Sequence, residues 1–72
     1  MTSKDVASRT AGRLITADDV AARLAEHVQT IRKRTRRGEF DSFAINIGAP
    51  GRPVWRYDEA GLERWLALRR AA

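Results

Sequence analysis

An α+β fold, mostly helical, is the class this chain predicts, and three observations predict it. Two apolar patterns of helical period, in LITADDVAARLAEH and VQTIRKRTRRG, follow one another across a turn of about three residues. FDSFAINIGAPGRPVWRY then changes to period two on either side of a Gly/Pro-rich break, which is the pattern of a hairpin. DEAGLERWLALRR returns to the helical period and closes the chain. Seventy-two residues make one small domain, near the lower size at which a core folds unaided.

The opening segment, 1–13, is poor in large apolar residues and reads as a flexible N-terminal arm; Lys4, Arg9 and Arg13 make contact with a polyanion possible. Residues 14–72 form the domain. Its first helix, over 14–27, has Thr16 and Asp19 at the spacing of a capping box, and Asp18 and Asp19 suit the positive end of the dipole. Ala17, Val20, Ala21 and Leu24 share one apolar face, and Leu14 or Ile15 packs back onto it.

The second helix is the informative one. At about 100° per residue with Ile31 at zero, Thr35 and Val28 fall at about 40° and 60°. They form a narrow apolar stripe. Arg32, Arg36, Gln29 and Lys33 occupy about 100–200°, with Arg37 and Thr30 at about 240–260° and Arg34 flanking the stripe at about 300°. Gly38 suits the left-handed residue that ends a helix. Five like charges within 32–37 repel one another, a cost that points to a use outside the fold.

In the hairpin, Phe43, Ile45 and Ile47 alternate as on a half-buried strand, and VWRY is the returning strand. The tip carries Arg52, and Arg56 lies further along. The last helix, 58–70, takes Asp58 as N-cap and puts Leu62, Trp65, Leu66 and Arg69 on one face; Gly61 weakens it by about 1 kcal/mol. Helix, tight turn, basic helix, hairpin and closing helix make a winged helix-turn-helix, whose second helix enters the major groove, about 12 Å wide.

Composition narrows the function. Fourteen bases oppose nine acids, and residues 28–56 hold seven bases against two acids, so the whole net charge of +5 sits in that stretch. A concentrated field attracts a polyanion, and arginine, twelve of the fourteen bases, favours forked contacts to phosphate and guanine. No cysteine is present and His27 is the one histidine, so no metal centre, disulfide or cofactor is expected. No nucleophile–base–orienter set can be assembled, so the chain is expected not to be an enzyme and to take no small-molecule substrate. Without a run of about 20 apolar residues or a signal peptide it is expected to be soluble and cytoplasmic, with no membrane partner.

The expected partner is double-stranded DNA. Gln29, Thr30 and Lys33 are placed near bases, with Arg32 and Arg36 on the same groove-facing helix. Arg34, Arg36 and Arg37 lean toward phosphates, with pairing to an acid such as Glu39 the alternative for Arg34. Arg52 suits a narrow minor groove and Arg56 supports it from the return strand. Trp65 reads as core, Tyr57 as core or hairpin edge. Trp55 is open between packing under the hairpin and a protein contact.

The motifs Ile15–Ala21, Thr30-Ile31, Arg36–Phe40 and Leu62–Leu66 resemble those of the MerR-like winged helices of phage excisionases, over about residues 14–70. Where that family has a Gly-Val-Ser turn, this chain has Ala25, Glu26 and His27, so a histidine replaces the capping serine. The resemblance implies a recombination directionality factor of a bacteriophage or mobile element. It would bind attachment-site direct repeats cooperatively through self-contacts, bend the DNA and direct a tyrosine-type integrase toward excision. The cytoplasm of the bacterial host, with nucleoid association when bound, follows from the same resemblance. Two other functions compete: a small phage or plasmid transcriptional regulator of the same fold, and a basic RNA-binding or protein-adaptor module. The long dimerising helix of MerR-type regulators does not follow the hairpin, which disfavours a dimer by that route.

Overall fold

The computed structural model describes residues 13–71, so the 1–12 part of the expected arm lies outside it. The order is β1 (Leu14–Ile15), α1 (Ala17–Leu24), α2 (Val28–Arg36), β2 (Ala44–Asn46), β3 (Trp55–Asp58) and α3 (Glu59–Ala71). Three helices pack with a three-stranded antiparallel sheet of order β1-β3-β2.

Thr16 and Asp19 do form the reciprocal box: the Thr16 side chain accepts from the Asp19 amide, and the Asp19 carboxylate accepts from the Thr16 amide at 3.0 Å. The box stops the helix from extending back over Leu14 and Ile15. These two residues pair instead with Asp58 and Tyr57 of β3, which corrects both the helix start and the expected two-stranded sheet. At its other end α1 closes three residues earlier than the apolar pattern suggested. Ala25 adopts φ +56°, and the amides of Ala25 and Glu26 return to carbonyls of the last turn. A left-handed alanine costs about 1–2 kcal/mol, part of which glycine would give back as unfolded-state entropy. Ala25→Gly is therefore expected to stabilise the domain by about 0.5–1 kcal/mol, seen as a raised thermal midpoint.

Ile15, Val20, Ala21, Ile31, Phe40, Phe43, Tyr57 and Leu62 form the core. Phe40 is its hub, with its ring 5.2 Å from Phe43, 5.3 Å from Trp65 and 6.3 Å from Tyr57. Thr35 is buried on α2; its hydroxyl meets the Ile31 carbonyl and the Tyr57 hydroxyl, each at 2.8 Å, so no polar atom is stranded there. Gly61 is more than a weak point in α3. A Cβ at that position would lie 2.5 Å from the Cβ of Phe43, so its absence lets α3 reach the core. Asp58 caps α3 by accepting from the Gly61 amide at 3.2 Å.

The phase of the hairpin differs from expectation. Tyr57 pairs with Ile15 and Ala44 on the core face, so Ile45, paired with Arg56, points outward. Ile45 and Ile47 are exposed, while Phe43 enters the core from the turn ahead of β2. Strand alternation was readable, but alternation alone does not say which face is inside.

Candidate nucleic-acid interface

The turn between α1 and α2 is Ala25, Glu26 and His27. His27 caps α2, its Nδ1 accepting from the Gln29 amide at 3.1 Å, and the helix starts at Val28. Ile31 and Thr35 are buried and Val28 is half-buried, which anchors the predicted stripe. The opposite face carries Gln29, Thr30, Arg32, Lys33 and Arg36, all exposed. Arg37, the C-cap residue, is exposed too, with its Nη1 3.6 Å from Glu39. Gly38, at φ +84°, turns the chain away behind it.

Arg34 is placed differently. Its Nε donates to Glu39 at 2.9 Å and its Nη1 to Glu26 at 3.0 Å, while its guanidinium lies over the rings of Phe40 and Trp65. Of the two readings for Arg34, the pairing with Glu39 is the one present, and Glu26 joins it: two carboxylates occupy the fork, and the side chain is half-buried. Arg34 fixes the pitch of α2 against the turn before it and the loop after it. Glu26 sits in the turn and has this second task. Glu39 is the acid the sequence offers as a partner; the spacing of eight residues to Glu26 falls outside the helical i,i+4 pattern, so no local rule reveals that one.

Two exposed carboxylates are held below their usual range. Glu39 is lowered chiefly by the Arg34 hydrogen bond, and Asp19 chiefly by the Thr16 amide, then by its hydroxyl. In each case the unfolded chain has the higher pKa and takes up protons first as the pH falls. The stability they supply is thus complete above the ordinary carboxylate range and is lost as pH falls through the lowered folded values. Thermal midpoints measured from pH 7 to pH 2 are expected to hold level and then drop below about pH 4.5. The drop should be shallower in Glu39→Gln.

The hairpin is held by Asn46, whose Oδ1 accepts from the amides of Gly48 and Val54 at 2.9 and 3.0 Å. A Cβ on Gly48 would lie 2.3 Å from the Arg52 carbonyl, so only glycine fits this bend. Arg52 is exposed at the tip, its amide closing a turn onto Ala49 at 3.0 Å. Arg56 is half-buried on β3, with Nη1 donating to the Trp55 carbonyl at 2.9 Å. Between the start of α1, the edge of α2 and β3 lies a cleft of about 470 Å³, lined by Asp18, Arg32, Arg36, Trp55 and Arg56 among others. Sequence reasoning did not find this cleft.

Two helices joined by a three-residue turn, the second one basic on its free face, make up this surface, and the family comparison agrees with them: a model of the helix-turn-helix domain matches residues 14–70. The chain belongs to the helix-turn-helix domain family. No curated protein and no solved structure gives a significant match. Membership of the helix-turn-helix family points to DNA as the partner, and its domains are typically not enzymes. Among the described residues of this helix-turn-helix domain no helix is long and apolar enough to cross a membrane.

Proposed function

We propose that this helix-turn-helix domain is a sequence-specific, architectural duplex-DNA-binding protein of excisionase type. Its α2 lies in the major groove and its β2–β3 hairpin is a wing on the neighbouring backbone or minor groove. The observation that carries the reading is the division of labour on α2. Arg34 is spent on the fold, whereas Arg32, Lys33 and Arg36 project outward beside Gln29 and Thr30. Outward like charges cost stability and gain it back only against a polyanion. Gln29, Thr30 and Lys33 read base edges, Arg37 takes a phosphate, and Arg52 and Arg56 act from the wing. The excisionase role adds cooperative self-contacts on direct repeats, DNA bending and a tyrosine-type integrase as partner, in the cytoplasm of a bacterial host. The motifs shared with phage excisionases support that finer assignment.

A gel shift on duplexes selected from a random pool tests this. A ladder of complexes on direct repeats, with altered mobility from bending, is the expected result. A single complex on a palindrome would assign a transcriptional regulator instead. Duplex RNA competing as well as duplex DNA would refute the DNA assignment, because the A-form major groove is too narrow for side chains to read. Lys33→Ala is expected to relax base preference at one position, at a cost of about 1–3 kcal/mol.

A further inference from the structure

The basic face of α2 has two unlike edges. At about 300° Arg34 is consumed by Glu26 and Glu39; at about 100–140° Arg32 and Arg36 line the cleft beside Trp55. Arg56 lines the same cleft from β3, and its bond to the Trp55 carbonyl uses one nitrogen of the fork. Three guanidiniums therefore share one open cleft with a single carboxylate, Asp18. Among the described residues none of the three is ion-paired to an acid, in contrast to Arg23, Arg34 and Arg37. The half-buried indole of Trp55 supplies an apolar wall.

We infer that this cleft seats the sugar–phosphate backbone of the bound duplex: Arg32, Arg36 and Arg56 hold phosphate, and Trp55 packs against deoxyribose. The inference rests on the duplex-DNA reading and sharpens it. Guanidinium forks match phosphate oxygens, a surplus of cations over one carboxylate selects an anion, and an apolar wall beside them suits the sugar between successive phosphates. An open cleft also lets a continuous strand pass through. Arg32 and Arg36 then set affinity and register without reading sequence. Base readout falls to Gln29 and Lys33, near the middle of the exposed arc, and to Thr30 toward its other edge.

Trp65→Phe leaves Trp55 as the one indole and makes its emission a reporter. Should that variant fold poorly, the difference between the parent and Trp55→Phe isolates the same signal. Titration with the selected duplex and with an unrelated duplex is expected to shift Trp55 emission in both cases, saturating with binding. Inorganic phosphate and ADP are expected to leave it unchanged up to millimolar concentration, on the order of 1 mM against the far weaker single-anion affinity. In gel shifts Arg32→Gln and Arg36→Gln should each weaken both duplexes by the same factor and reduce the salt slope by about 1. If duplex binds while Trp55 emission stays still, or if either variant changes the ratio between the two duplexes, the inference is overturned and the DNA reading stands. Saturable quenching by phosphate or ADP at or below about 1 mM would overturn the inference and make the cleft a small-anion site. Absence of any duplex binding would remove both readings together.

Discussion

Phe40→Ala lowers the thermal midpoint by at least about 12 °C and leaves a large unfolded fraction at 37 °C. The ring is fully buried and packs against Phe43, Tyr57 and Trp65, with the Arg34 guanidinium 5.1 Å from its centroid. Truncating such a residue costs about 3–5 kcal/mol through lost transfer energy and the cavity left behind. A domain of this size has about 3–9 kcal/mol in all, at roughly 0.05–0.15 kcal/mol per residue. Each kcal/mol moves the midpoint of a domain this small by about 4–8 °C. The loss also frees Arg34 from its seat, so α2 loses its anchor as well as its packing. Circular dichroism melts check the outcome, and a midpoint within about 5 °C of the parent would show that Phe40 is not the hub.

Duplex affinity falls about a thousandfold between 50 and 200 mM salt, following a log–log slope near −5. The slope counts phosphates neutralised, and with Arg34 withdrawn and Lys33 on a base edge the cations left to supply about five contacts are Arg32, Arg36, Arg37, Arg52 and Arg56. Screening alone cannot produce so steep a dependence, because release of condensed counterions is stoichiometric. Arg34→Gln is the internal control. It should destabilise the fold while leaving the slope of the folded fraction unchanged. Fluorescence anisotropy across a salt series measures both, and a slope near −1 would reject the grip on paired strands.

What was legible in the sequence was what local chemistry decides. The Thr16/Asp19 box, the left-handed Gly38 and the Asp58 cap each depend on residues within a turn of one another, and all three stand where expected. The stripe of Ile31, Thr35 and Val28 also faces the core, because a single helix period fixes it. Features set by distant partners were not legible. Leu14 and Ile15 look like a helical lead-in until Tyr57 and Asp58 arrive beside them. Ile45 and Ile47 are larger than Ala44, yet Ala44 faces inward because its register with Tyr57 leaves no choice. The tie of Arg34 to Glu39 was within reach of the sequence, whereas its second tie to Glu26 and the cleft beside Trp55 needed folded neighbours before they existed at all.

The sheet order has a bearing on colloidal behaviour. The longest strand, β3, is in the middle, and the rims are two residues (β1) and three residues (β2) long. A foreign strand zipping onto either rim finds only a few free backbone groups before the ladder runs out. Among the described residues, fibril growth and strand exchange are therefore offered only a short template at either sheet margin.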